Sequence, residues 1–405
     1  MTSDEELIRR AREKGWPEDL LGRLRKVASA KDIGWMMDEW GVAGVQRELD
    51  VRERTANGPF RIREMNSRDA PAFSELWAHS PEKIGDWTVT VERSPNALAQ
   101  FMLHEECSIT VLEEQGAIYA CTAWSRRNVL VGAKPASITV AHSLRVHESR
   151  RGARLADLVR RFPERATIAR PNIGQFMYVR SGNDGVLGFL GKVANQTFGN
   201  IGAAGVRTEV THFAPRACDG DASGIRKAVR GDLAACAELI NRTHGAFDLF
   251  APYTAENLAA RLGEGYADAP PPFYPHVYGW PEFHVLEENG AIVACAGLWD
   301  RGRDMREVWR AADGEVRTVA VTNLLDFGYA ARAEEAMARL IGYLLGETAK
   351  LGRSSLVAPL DRLPGLAETC TAFEPRLEGR TFEWTPYIAQ APRVIAEPYT
   401  DLRFW

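Results

Sequence analysis

The sequence predicts an α/β protein: two mixed-sheet domains of one kind in tandem, behind an N-terminal helical segment. Three observations carry this. A block of residues recurs, the order of strand-like and helix-like segments repeats with it, and the first 57 residues show helical spacing alone. VLEEQGAIYAC at 111–121 returns as VLEENGAIVAC at 285–295, with nine of eleven positions identical at an offset of 174. Ile62, Arg63, Asp69, Ala72, Glu75 and Leu76 return as Ile225, Arg226, Asp232, Ala235, Glu238 and Leu239, at an offset of 163. Self-similarity of this kind marks a repeated structural unit. The offsets differ by 11, so the second copy carries about 11 extra residues, expected in the Pro-rich APPPFYPHVYGW at 269–280. The expected boundaries are 1–57, 58–215 and 222–405.

Apolar residues recur at helical spacing over Leu7–Leu24 and Ile33–Leu49, with breaks at Gly15-Trp16-Pro17 and Lys31-Asp32. They predict short helices packed on the first copy or on a partner, with Met36, Met37 and Trp40 in the core. Each copy then opens on a short strand, FRIREM or SGIRKAV. A helix follows near Asp69 or Asp232, where a carboxylate suits the first turn. SITVLEE and AIYACTAW form two strands around Gln115-Gly116, and Asn289-Gly290 in the second copy is a two-residue hairpin signal. A further strand (ASITVAHSLRVH or EVRTVAVTNLL), a helix and a last strand (QFMYVR or SSLVAPL) complete each copy. The order is β-α-β-β-β-α-β, an antiparallel meander passing into a β-α-β crossover.

The 50 basic and 54 acidic residues exclude a strongly basic nucleic-acid binder. The aromatic residues lack basic interleaving, so no platform for single-stranded nucleic acid is expected. Cys107, Cys121, Cys218, Cys236, Cys295 and Cys370 are scattered, none at CxxC spacing, and read as reduced core thiols of a cytoplasmic protein. His104-Glu105-Glu106 lacks the second histidine of a zinc motif, and no metal is expected. GNIGAAG at 199–205 has the wrong spacing for a dinucleotide loop, and no nucleophile elbow or P-loop occurs. MTSDEELIRRAREKGW has no apolar core of a signal peptide. No run of about 18 apolar residues predicts a membrane span.

The richest local signal is SLRVHESRRGARLADLVRRF at 143–162, a strand entering a basic glycine-containing turn before an amphipathic helix. A helix start presents unpaired N–H groups and the positive end of its dipole. Such a turn cradles a pyrophosphate, with Arg150, Arg151 and Arg154 adding charge. The alternative is a solvated basic helix start.

In this element order the passage resembles the GCN5-related N-acetyltransferase (GNAT) family. The family's loop reads Gln/Arg-x-x-Gly-x-Gly/Ala after a strand ending Val-x-Pro. Val146, Arg151 and Ala156 match, whereas Glu148 and Arg154 stand where proline and the middle glycine are usual. The resemblance implies acetyl-CoA as cosubstrate, in the wedge where the fourth and fifth strands part. Backbone groups of Leu144 and Val146 would pair with pantetheine. Arg151, Gly152, Ala153, Arg154, Leu155 and Ala156 would hold the pyrophosphate. Asn183 would bond the pantetheine arm or the chain at the splay. The family's acidic tyrosine falls at Leu190, so none carries over.

His142, on the central strand, is the expected general base, titrating near 6–7; a core histidine is the alternative. Glu105, Glu106 and the terminal carboxylate of Trp405 are further candidates. In the second copy, TNLLDFGYAARAEEAMARLIGYLL at 322–345 sets Asp326, Glu334 and Glu335 against a diphosphate, and only Gly328 and Arg332 favour one. That copy is expected to be degenerate and to wall the acceptor pocket, whose loops are expected at 80–105 and 265–282. The implied function is acetyl-CoA-dependent N-acetyltransfer by the first domain to an amine of a small molecule or peptide. The rival is a non-catalytic acyl-CoA-binding sensor or scaffold. A homo-oligomer is left open.

Overall fold

The structure, a computed structural model, describes residues 4–27, 59–104, 106–152, 172–188, 204–217, 222–263, 277–386 and 397–404, with isolated positions within 33–53, 155–159 and at 395. At the N-terminus, α1 (Asp4–Glu13) and α2 (Glu18–Val27) part at Trp16-Pro17. Leu7, Ala11, Trp16, Leu20 and Leu24 bury against Ile33, Val45 and Leu49, so the described apolar face closes a small core of its own. The expected packing was onto the first copy or a partner. Met36, Met37 and Trp40 lie outside the described residues.

The first half contributes β1 (Arg61–Glu64), α3 (Ala70–Ala78), β2 (Glu82–Ile84), β3 (Trp87–Arg93), β4 (Glu106–Glu114), β5 (Ala117–Val131), β6 (Lys134–Val146), β7 (Gly174–Arg180) and β8 (Ala204–Phe213). The second opens with β9 (Ile225–Lys227), α4 (Leu233–His244), α5 (Ala255–Arg261), β10 (Phe283–Glu288) and β11 (Ala291–Trp299). It continues with β12 (Met305–Ala311), β13 (Val316–Val319), β14 (Val321–Tyr329), α6 (Glu334–Lys350), β15 (Ser355–Ala358), α7 (Pro364–Thr369) and β16 (Arg376–Pro386). Among the described residues no helix is long and apolar enough to cross a membrane.

Twelve strands form one sheet in the order β1-β4-β5-β6-β7-β16-β8-β15-β14-β11-β10-β9. Read inward from its two ends, the halves give the same succession of strands, and then they exchange. β16, from the end of the chain, pairs with β7 of the first half, while β8 pairs with β15 of the second. Phe382 of β16 is fully buried against Phe176 and Tyr178 of β7. A second sheet, β13-β12-β3-β2, binds the halves again, with β12 antiparallel to β3 from Met305↔Arg93 to Ala311↔Trp87. The segment EVRT, expected at the head of the central strand, belongs mostly to β13 in this smaller sheet, and the central strand itself is β14.

The recurring residues hold equivalent joints. Arg63 bonds Asp69 at 2.6 and 2.7 Å and Glu113 at 2.6 Å. Arg226 bonds Asp232 at 2.6 and 3.0 Å and Glu287 at 3.0 Å. Each triad ties the first strand to a helix start and to the hairpin strand beside it. The hairpins turn on Gln115-Gly116 (φ 53° and 87°) and Asn289-Gly290 (φ 51° and 75°), the positive-φ pair that matches strand twist. The length difference between the copies includes α5, which lies between α4 and β10 where the first half has its β2–β3 hairpin. Most of the Pro-rich stretch, through 276, lies outside the described residues.

Alternation along β4 and β5 sends Val111, Cys121 and Ala123 to the face covered by α3, and Leu112 and Ala120 to the opposite face, against Leu155 and Val159. The sheet of the first half is therefore covered on both faces, and its two faces meet different helices.

A candidate active site where two strands part

β6 and β7 run parallel but pair only at Thr139↔Gln175 and Val140↔Phe176. Beyond that point β6 continues to Val146 and β7 to Arg180 with no pairing between them. The edge of β6 that faces β7 thus offers unpaired backbone groups to a cavity of about 160 Å³. The register of β5 against β6 shifts between Cys121 and Ala123, which leaves an extra residue on β6. Ser143 stands at this bulge with φ 58°, and its carbonyl accepts from Cys121 Sγ at 3.3 Å. Leu144 lines the cavity. Val146 pairs with Ala120 and packs with Leu144 on the face that meets Leu155.

At the end of β6, His147 Nδ1 accepts from Ser149 N at 3.2 Å and caps a 3-10 turn over Glu148–Arg150. Arg150 is paired with Glu114, with its guanidinium 4.7 Å from the Tyr119 ring centre. Arg151 is exposed and donates to the Pro81 carbonyl. Gly152 follows at φ 84°, a conformation glycine adopts at little cost. Leu155 and Ala156 are helical, and Leu155 is buried. Ala153 and Arg154 lie outside the described residues. Of the three arginines expected to add charge, Arg150 is therefore committed to a carboxylate, and Arg151 faces solvent.

Asn183 lines the cavity and caps the turn after β7. Its Oδ1 accepts from Val186 N at 3.3 Å, and its Nδ2 donates to Glu82 Oε2 at 3.4 Å. These bonds tie Asn183 to the chain beside the splay.

His142 lines the same cavity beside the bulge. Its Nε2 lies 2.9 Å from Ser125 Oγ and its Nδ1 3.3 Å from Ser143 Oγ, and its ring stacks on Phe101 at 5.7 Å. Burial, helped by Arg93, pushes the imidazole down to about 3, far from the expected 6–7. The ring is neutral across the physiological range and holds a proton weakly. Glu106 is exposed and does not line the cavity; Glu105, Leu190 and Trp405 lie outside the described residues. The preceding residue, Phe404, does line it, stacked on His104 at 4.3 Å.

The second half brings unexpected groups to this cavity. Arg301 arrives with the 3-10 turn before β12, Glu307 with β12 and Arg380 with β16, beside Arg93, Arg145 and Arg180 of the first half. Of the expected acceptor loops, the segment from Glu82 to Gln100 supplies lining residues. Residues 264–276 lie outside the described set. No local motif marks these arginines, because strand exchange and the second sheet bring them together.

The equivalent position in the second half is built differently. The register shift between Cys295 and Gly297 puts Asp326 at the bulge, with φ 47°. Its carboxylate accepts from Tyr253, from Arg403 and, at 3.0 Å, from Tyr278. Arg403 also bonds Asp401 at 3.0 and 3.2 Å. Only Ala330–Ala333 separate β14 from α6, whose first turn carries Glu334 and Glu335. Gly328 serves packing: a Cβ there would lie 2.4 Å from Ile240 N of α4. Successive residues of the chain's final described turn thus reach both places, Arg403 the second bulge and Phe404 the first cavity.

No family model matches the chain, and no curated protein matches it by sequence. Solved structures do. N-myristoyltransferase from Saccharomyces cerevisiae with bound myristoyl-CoA superposes with a TM-score of 0.57 at 10% identity, over 82% of this chain and 80% of that one. A GCN5-related N-acetyltransferase from Sphaerobacter thermophilus superposes with a TM-score of 0.51 at 17% identity, over 86% of this chain and 99% of that one. The chain has the GNAT fold, in the two-domain form also seen in N-myristoyltransferase.

Proposed function

We propose that the protein is an acyl-CoA-dependent N-acyltransferase that uses acetyl-CoA and works in the first-half cleft. The observation that carries this reading is the parting of β6 and β7 beside the Ser143 bulge, which leaves a β-edge free for an extended ligand. The residues present fit pantetheine and a pyrophosphate: Leu144 and Val146 on the open edge, and an exposed turn with Arg151 and a left-handed Gly152 beyond it. The resemblance adds Ala153, Arg154, Leu155 and Ala156 to the proposed cradle; of these the structure describes Leu155 and Ala156, both helical, and backbone amides at a helix start favour a bound phosphate. Asn183 holds the mouth of the wedge by capping the turn after β7. The second half, with Asp326 neutralising Arg403 at its bulge and a shortened loop before α6, has a structural role and walls the acceptor side.

Bound acyl-CoA supplies the acyl carbon: the amine–carbon bond forms, the carbon–sulfur bond breaks, CoA departs as its thiolate with the bonding pair, and the amine's proton goes to solvent. A backbone N–H near Leu144 polarises the acyl oxygen. His142 is held neutral between Ser125 and Ser143 and shapes the wall of the cleft, while water carries the proton away. The buried free thiols Cys121, Cys236, Cys295 and Cys370 suit a reducing compartment, the cytoplasm. The test is steady-state release of free CoA from acetyl-CoA against a panel of amines. Turnover supports the reading; a stoichiometric complex with no turnover supports the sensor instead.

A further inference from the structure

The face of the first-half sheet covered by α3 carries a concentration of buried positive charge next to the cleft. Arg93, Arg145, Arg180, Arg301 and Arg380 line the cavity with only Glu82 and Glu307 as carboxylates. The least compensated of them are Arg93 and Arg301. Arg145 is paired with Glu82. Arg180 shares Glu307 at 2.7 Å and Glu378 at 3.0 Å, Arg301 stands 3.7 Å from Glu307, and Arg380 stands 3.0 Å from Glu378. Glu378 is drawn on again by His212 at 2.9 Å. Arg180 and Arg380 are directly opposite on β7 and β16, an arrangement unfavourable for like charges.

Arg93 is 3% exposed and has no carboxylate partner among the described residues. It donates to Ala97 O at 3.3 Å and Gln100 Oε1 at 2.7 Å, over the Trp77 ring at 3.9 Å. Its Nε and that of Arg301 have no acceptor among the described residues. Burial and the neighbouring Arg180 pull the Arg380 guanidinium down to about 9, a sign of crowded cations. Uncompensated charge in such a place is costly unless something pairs with it.

We infer that this arginine cluster is the acceptor subsite, and that it takes the carboxylate of an amine acceptor of the amino-acid type. Guanidinium forks match a carboxylate in bidentate fashion, and the small cavity suits a compact anion beside the reacting amine. Trp77 and Phe101 place Arg93 on the α3 face, whereas the turn at Gly152 leads to Leu155 on the other face. The cluster therefore addresses the acceptor and not the CoA phosphates. The identity of the amine rests on the acyltransferase reading; the anion site does not.

The test uses the full chain and acetyl-CoA, with amino acids each paired with its own carboxamide. The expected result is a kcat/KM at least tenfold higher for the free acids. Arg93→Met and Arg301→Met each reduce that preference below threefold with the acetyl-CoA Kd within twofold of the parent, and Arg93→Lys retains it in part. If Arg93→Met does not fold, Arg301→Met carries the test. Carboxamides or polyamines used equally well, with CoA released, would overturn the subsite and leave acyl transfer standing. If no amine releases CoA, calorimetry of the same pairs against the CoA-bound protein decides. Acid-specific binding lost in Arg301→Met supports the subsite without acyl transfer; no acid-specific binding overturns it.

Discussion

Replacing Asp326 by alanine should destabilise the protein by about 3–5 kcal/mol, the range for removing one partner of a buried ion pair. Asp326 is 1% exposed and accepts from Arg403, Tyr253 and Tyr278. Without it, Arg403 leans on Asp401, which Arg127 already engages. The two tyrosine hydroxyls each lose a bond worth about 1 kcal/mol net, an effect that overlaps the ion-pair cost because all four groups touch. Asp326→Asn keeps the volume and an acceptor oxygen, so it should cost less than alanine. Urea unfolding gives the comparison, read as a shift in midpoint at unchanged slope. Burial alone would raise the carboxyls of Asp326 and Asp401, but Arg403, with Arg261 and Arg127, outweighs it and holds both below the usual range. Their contribution is therefore complete above the unfolded carboxylate pKa of about 4 and is lost as pH falls through the lower folded values. The gap between parent and Asp326→Ala should stay constant from about pH 5 to 8 and narrow only in acid. A cost under about 1 kcal/mol at neutral pH would refute the reasoning.

Gly328→Ala should also destabilise, by about 1–3 kcal/mol or more, because the added Cβ meets the α4 backbone at Ile240, which cannot rotate away; thermal unfolding reads it. For the chemistry, kcat/KM should rise with pH through the acceptor amine's own pKa, and His142→Ala should leave that limb in place, since the ring's pKa is pushed down to about 3; loss of the limb would restore His142 as the base. The fragment 1–218 should aggregate, because it lacks β16, the strand that covers the edge of β7 and buries Phe382 on Phe176; light scattering and a solubility assay decide.

The repeat was legible because its residues are used twice in the same way. Arg63, Asp69 and Glu113 and their counterparts Arg226, Asp232 and Glu287 recur because each triad closes an equivalent joint, and the two hairpin turns need a positive-φ pair. The strand and turn over 143–152 were legible for the same local reasons. β8, β16 and their exchange were not, because a strand's sequence states its period and not which half it will pair with. The arginine cluster was hidden with them: Arg93, Arg180, Arg301 and Arg380 are far apart in sequence and meet only through that pairing and the second sheet. His142 could be placed on its strand, but its environment could not. The neighbours that desolvate it, Phe101 and Phe404, come from a 3-10 turn and from the last described residues of the chain.

Titration calorimetry of acetyl-CoA into the full chain, its Arg151→Ala variant and its Asp326→Asn variant bears most directly on the first-half cleft as the acyl-CoA site. The account predicts one site per chain and about 1.5 kcal/mol weaker binding in Arg151→Ala. That is the low end for a hydrogen bond to a charged group, because Arg151 is exposed to water and salt. Asp326→Asn should bind as the parent does. Two equivalent sites, no binding, or an Arg151→Ala affinity equal to the parent's would contradict it.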